Sequence, residues 1–426
     1  MPSLKPRTIT LASLLTVALV ALPMVQRTSR EAASRFQEAE QGFMDFLVAN
    51  AYDTFQRALP ERSSEVVLVE FREEDKMEYS AWPPAPLDYI MLLKRVATQE
   101  PEVVAFAEPL RWDDPGTQFL SQLRQAMLPI PSLLLGFEIS AASGEMTDEQ
   151  KTFLAEQMPS YASKDGDAAA APAFKRVSRV PDKILRVGAD FGFSRLVSES
   201  EKKGKQPLPF VAFDGQHLAP SLAAQAVTRF RHMPFSALRL RFGSGARLNL
   251  GDEHVVPLDP SGSLQLKERP AIPRINALNL LTPDLDQTAT DEINQALGKG
   301  KVVLVGMGED GHKQAQAIAL ALAMPKLHRL PLWWDWVFAA LVALACYKQW
   351  FYRRFKVLLA GVVLLALAML VCLLTFQSAL WWWSPLPAAV VILVTTLFCF
   401  VWPHRARSHG GSIPVVELPP ATGPAA

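Results

Sequence analysis

Cysteine is almost missing from this chain. The 426 residues hold only Cys346, Cys372 and Cys399, and all three fall within apolar runs near the C-terminus. A disulfide framework, a thiolate metal site and a cysteine nucleophile are thereby excluded from everything that precedes them. The lack of cysteine also suits an oxidising compartment. Histidine is sparse as well. Among His217, His232, His254, His312, His328, His404 and His409, no two share the i, i+4 spacing that sets two zinc ligands on one helical face. No G-x-S-x-G elbow occurs and no Ser/His/Asp set stands out, so no catalytic residue, metal ligand or cofactor is assigned. Nor is there a surplus of positive charge. The whole chain is +1, and residues 26–331 come to about −5, which argues against a nucleic-acid partner.

What the sequence does have is long apolar runs, gathered at its two ends. Residues 8–25 (TITLASLLTVALVALPMV) carry no charge and are long enough to cross a bilayer as a helix, with Lys5 and Arg7 ahead of them. A cleavable signal peptide is the alternative, but no good small-x-small cleavage site follows. Residues 332–347, 357–376 and 388–402 read as three further spans, with Asp335 near one end of the first. Between them, KQWFYRRFK carries Lys348, Arg353, Arg354 and Lys356, whereas QSALWWWSPLP carries no charge; the tail HRARSH is basic again. Basic loops stay in the cytoplasm, so four spans leave both termini and the Lys348–Lys356 loop inside, and residues 26–331 outside. Eight of the ten tryptophans sit at predicted span ends, as an aromatic belt at the headgroup level requires. Membrane lipid is therefore an expected partner.

The central residues read as α/β. Residues 26–57 are expected to form a juxtamembrane helix with Phe36, Phe43, Leu47 and Phe55 on one face and Glu38, Glu40 and Asp45 off it. EVVLVEF (65–71), EVVAFAE (102–108) and PSLLLGFEI (131–139) read as buried strands, separated by the amphipathic stretches APLDYIMLLKRVATQ and DPGTQFLSQLRQAM. In the second of these, Asp114 is the expected helix cap. The β-α-β-α-β order predicts a mostly parallel sheet. Residues 140–182 read as polar and irregular, and SKDGDAAAAPAFKR within them looks like a mobile excursion. ALRLRFG, RLNLG and HVVPLDPSGSLQLKE read as an inserted antiparallel hairpin region, after which KVVLV (301–305) returns to the main sheet as a central strand.

Taken in order, these segments resemble the type-two CHASE domains, extracellular sensors attached to bacterial cyclases and histidine kinases. The resemblance rests on YDTFQRALP, VVLVEF, AWPPAPLDYIMLLKRV, EVVAFAEPL, GADFGFSRL, VVPLDPSGSLQL and GKGKVVLVGMG, and covers roughly residues 50–402. It implies one N-terminal span, an external sensory domain over 58–331 and three closely spaced spans, the plan already derived. It also implies pairing into a homodimer. Two departures stand out: Ala107 replaces the family's common Asp after the Phe of strand two, and SESEKKGKQ replaces its Asp-Gly-Val-Arg stretch. Members usually carry a cytoplasmic cyclase, kinase or phosphatase after the last span, whereas residues 403–426 are a short Pro- and Gly-rich tail.

Gly306, Gly308 and Gly311 have the G-x-G-x-x-G spacing of a dinucleotide site. That fold needs a following strand with an acid about 20 residues on, and Pro331 stands there, at the lip of a span. The glycines therefore read as a tight strand-to-helix turn. The candidate ligand residues are Trp82 in AWPPAP and Arg111, Trp112 and Asp113 in RWDDPG, because these loops follow strands one and two, where parallel sheets bind ligands. Functionally, the first expectation is an inner-membrane receptor that relays a signal to a separate cytoplasmic effector. The second is a structural or assembly subunit that docks an envelope protein, and an extracytoplasmic enzyme comes last.

Overall fold

The computed structural model describes residues 30–158, 163–197, 207–234, 237–251, 254–266, 270–282, 287–331, 333–335, 337, 340–341 and 354–401. The chain divides into two compact units. One comprises Ser34–Pro331 with Leu370–Ser384; the other comprises Met1–Ala33, Leu332–Met369 and Pro385–Ala426.

The first unit is built on a seven-stranded sheet. Its strands are β1 (Val66–Phe71), β2 (Val103–Phe106), β3 (Ser132–Ser140), β5 (Arg176–Arg179), β6 (Asp190–Val197), β14 (Arg274–Asn276) and β15 (Val302–Met307), with the short strand β4 (Ser163–Asp165) lying outside it. The order is β14-β1-β15-β2-β3, and β3 pairs on with both β5 and β6. Every pairing is parallel except β3 with β5. Strands covered on both faces need near-continuous apolar runs, and VVLV, VVAF and VVLV supply them. Val67, Val69, Val104, Leu135, Val303 and Val305 form one cluster with Leu92, Leu93, Leu120 and Leu123 from the helices Pro86–Ala97 and Thr117–Met127. Strand alternation turns Leu68, Ala105, Leu134 and Leu304, all fully buried, to the other face. There the helices Leu222–Phe230 and Gly308–Ala323 pack. The mixed α/β, mainly parallel expectation holds, and residues 302–307 do return to the middle of the sheet.

The inserted hairpin region is also present. β10 (Arg239–Arg241), β11 (Arg247–Leu250) and β12 (His254–Pro257) pair antiparallel, and β10 takes β4 on its other side. Three smaller strand pairs complete the unit: β7 (Leu208–Pro209) with β13 (Ser263–Leu264), β8 (Val211–Phe213) with β9 (Leu218–Pro220), and β16 (His328–Arg329) with β17 (Trp381–Trp382).

Three expectations change. Residues 140–182 are not wholly irregular. They contain the helix Asp148–Gln157, opened by a reciprocal cap between Thr147 and Gln150, and they contribute β5 to the main sheet. Helix Thr117–Met127 begins at Gly116, with φ +67 and no side-chain cap, so Asp114 does not cap it. The juxtamembrane helix runs Arg30–Asn50 and restarts at Tyr52–Arg57, with Phe43, Leu47 and Phe55 buried as expected. Asp45, however, is buried too. Arg241 and Arg247 both ion-pair with its carboxylate, and a Cβ on Gly245 would lie 2.5 Å from its backbone. The hairpin region thus covers a second side of the helix, which a single-stripe pattern does not reveal.

The edge strand β6 has two of its carbonyls capped by side chains. Gln225 Nε2 donates to Phe191 O (3.0 Å) and Gln314 Nε2 to Ser194 O (2.6 Å), and both glutamines are buried.

In the second unit, Leu386–Val401 is a 16-residue helix. A Cβ on Gly361 would stand 2.8 Å from Ile392 Cγ2, so this helix packs closely on Arg354–Ala379. Among the described residues one helix, over Gly361–Ala379, is long and apolar enough to cross a membrane. Val362, Val363, Leu367, Leu370, Val371 and Leu374 are exposed on it, as a lipid-facing surface would be. The expected span at 8–25 lies outside the described residues, as does most of 332–347, whose described positions are helical.

The glycine turn acquires a packing explanation. The Gly306 and Gly311 backbones touch, a Cβ on Gly306 lying 2.9 Å from Gly311 Cα, while Gly308 has φ +56 and open space around it. Gly306→Ala should lower stability by about 1–3 kcal/mol through overpacking, and Gly308→Ala by about 1 kcal/mol through backbone strain alone. Urea midpoints of the full chain in detergent check that order. Asp45→Ala leaves two guanidiniums without their shared carboxylate and should cost about 3–5 kcal/mol in the same assay.

Candidate functional site

Parallel sheets collect their loops at the C-terminal ends of the strands, and ligands bind there. Here that edge gathers the loops after β1, β2 and β15. Six aromatic rings connect the first two. Phe71 lies 5.3 Å from Tyr79 and 5.1 Å from Tyr89; Tyr79 lies 5.8 Å from Trp82; Tyr89 lies 5.8 Å from both Phe106 and Trp112. Trp112 Nε1 also donates to Pro84 O at 2.9 Å, which ties the loop after β2 to the loop after β1. Trp82 and Trp112 are half-buried against the core cluster and belong to this one array.

The other two candidate residues go elsewhere. Arg111 Nη1 stands 3.9 Å from Glu149 on helix Asp148–Gln157, which also pairs with Arg186, and the Arg111 carbonyl accepts from Arg179. Asp113 is exposed, as is Asp114. The structure therefore brings the two tryptophans together and turns Arg111 toward a separate ion-pair network.

Sequence reading missed the polar half of this edge. Glu108 follows β2, and its Oε1 accepts from Met307 N–H at 2.8 Å, where β15 becomes a helix. Burial, reinforced by repulsion from Asp310 and Glu138, pushes the Glu108 carboxyl up to about 8, against the pull of that hydrogen bond. Asp310 faces Arg195 at 3.5 Å. Along the edge, His312 Nε2 meets Arg274 Nη2 at 3.0 Å, and burial followed by Arg274 holds the imidazole below its ordinary value. Asn276 donates to Asp75 (2.6 Å), closing the loop after β1. The only sequence trace of Glu108 was an acid ending an apolar strand; its partner depends on the β2–β15 register, Phe106 opposite Val305.

This geometry also bears on the glycine turn. A helix N-terminus attracts phosphate through its free N–H groups and dipole. Here Glu108 takes the Met307 N–H, and Glu309 and Asp310 occupy the first turn. That N–H is already taken and two acidic residues stand in the first turn, which disfavours a pyrophosphate there.

The raised Glu108 value sets a pH dependence. Between about 4.5 and about 8 the folded chain keeps a proton that the unfolded chain has lost, so raising pH through that window lowers stability. Glu108→Gln should match the parent near pH 4.5 and exceed it above pH 8, by on the order of a few kcal/mol. Urea unfolding at a series of pH values checks both the sign and the window.

No curated protein and no solved structure matches the chain. The family model of the CHASE2 domain matches residues 17–401, which takes in the sheet, the hairpin region, the aromatic edge and the apolar helices. The chain belongs to the CHASE2 family, whose domain is sensory and implies an extracellular sensor role.

Proposed function

We propose that this chain is a multi-pass receptor of the bacterial inner membrane. Its α/β unit faces away from the cytosol, binds a signal or a partner, and relays the event through its spans to a separate cytoplasmic effector. The chain performs no chemistry itself in this reading, and both termini lie in the cytoplasm.

One observation carries the reading. His328–Arg329, at the end of the α/β unit, pairs with Trp381–Trp382, which follow the long apolar helix. If that helix crosses the bilayer, the α/β unit shares a side with the uncharged loop at its C-terminal end, opposite the basic run Lys348–Lys356 at its N-terminal end. Basic segments stay cytosolic, so the unit is external. The ligand site of this proposal is the aromatic edge of Trp82 and Trp112, with Arg111 and Asp113 on the same loop.

Two reporters test the orientation. A phosphatase that folds only outside the cytosol, inserted between the exposed residues Gly144 and Glu145, should be active, and a reporter restricted to the cytosol should be silent there. Insertions within 348–356 should give the reverse. The opposite pattern at both places removes the receptor reading. Detergent co-purification then separates the outputs: a kinase or cyclase partner supports relay, and an envelope complex without one supports assembly.

A further inference from the structure

The segment that follows helix Arg354–Ala379 is fastened to the α/β unit at several points. Leu380 leaves the helix with φ +57. His328 N–H then donates to Leu380 O (3.0 Å), and Leu330 N–H to Trp382 O (2.9 Å), forming the β16–β17 pair. The Arg329 guanidinium lies 4.9 Å from the Trp382 ring and donates to Glu40 Oε1 at 2.7 Å, on helix Arg30–Asn50. Gln377 Nε2 donates to Asn50 O at 3.1 Å, and the buried Phe376 ring meets Phe55 edge-on at 6.1 Å.

These contacts join three stretches distant in sequence: the juxtamembrane helix through Glu40, Asn50 and Phe55, the last strand of the unit through His328–Leu330, and the end of an apolar helix through Phe376–Trp382. A two-residue strand pair is marginal by itself. Its persistence depends on the flanking contacts, and the Arg329 guanidinium, stacked on one partner and ion-paired with another, links all three stretches.

We propose that residues 376–382 are a strap by which the α/β unit grips the C-terminal end of helix Arg354–Ala379. A rearrangement of the unit then reaches that helix directly, through Arg329 and the juxtamembrane helix, in addition to the covalent path beyond Pro331. A marginal pairing held by a few contacts is easily released, which is what a switch requires. Use of the strap in signalling rests on the receptor reading above; the grip itself does not.

Hydrogen exchange on the full chain in detergent, across a urea series, tests the grip. In the parent, the amides of 328–330 and 380–382 should be protected without denaturant and should open at a lower urea midpoint than those of β1. Arg329→Ala should speed exchange of the strap amides about tenfold or more while β1 stays protected, and Arg329→Lys, which keeps the charge but not the planar stack, should fall between. Should Arg329→Ala also expose β1, the lysine variant decides by the same comparison. Parent strap amides exchanging at the unprotected rate, or opening only at or beyond the β1 midpoint, overturn the proposal. So does a variant whose strap exchange stays within about twofold of the parent while β1 remains protected. A wrong-side result from the reporters would end the receptor reading and leave these exchange rates as they are.

Discussion

The whole domain depends on where the last strand of its main sheet sits. β15 lies between β1 and β2, so Val66 pairs with Val302 and Val302 in turn with Val103. The centre of the sheet is therefore closed by a segment that follows almost everything else. Every intervening element, from β3 through the antiparallel hairpins, must be laid out on the flanks and the far face without blocking that slot. Closing so long a loop is entropically unfavourable, though the penalty rises only slowly with length. The return is a six-residue strand of which five residues, Val302 to Gly306, are buried. The same insertion lines up the ends of β1, β2 and β15, which is why Glu108 meets the Met307 N–H and why the aromatic loops sit on that edge.

Around this sheet, charge as well as apolar area joins the juxtamembrane helix to the domain. Asp45 is buried against Arg241 and Arg247, and Glu40 holds Arg329. Buried ion pairs contribute little net stability, because desolvation offsets much of the attraction, but a wrong arrangement that strands one charge is heavily penalised. Such contacts are suited to fixing a helix in one rotation. The Gly245 backbone reinforces this by approaching Asp45 too closely for any larger residue to be accommodated.

Strands that are covered on both faces announce themselves as unbroken apolar runs, which is why β1, β2, β3 and β15 could be read from sequence to within a residue or two. The aromatic part of the site was legible for a related reason: Trp82 and Trp112 lie in loops that a parallel sheet must bring to one edge. Where partners are set by register between distant segments, nothing local betrays them. Glu108 looks like an ordinary strand-ending acid, and Asp45 like a solvated residue off an apolar stripe, until β15 and β10–β11 are in place. The stretch 140–182 was obscured differently. β5 is only four residues of Arg-Val-Ser-Arg, too short and too polar for periodicity to register, although the Thr147–Gln150 cap was visible in MTDEQ.

The buried amides of Gln225 and Gln314 bear on how the protein tolerates crowding. A strand at the margin of a sheet offers a row of free carbonyls that a neighbouring molecule can extend into a continuous ribbon. On β6 those at Phe191 and Ser194 are already taken by side chains from two covering helices. A protein confined to a membrane surface meets its own copies at high local density, where open margins would invite irreversible association. The two glutamines, with a single backbone bridge between Phe193 and Ser221, cover that margin without a full additional strand.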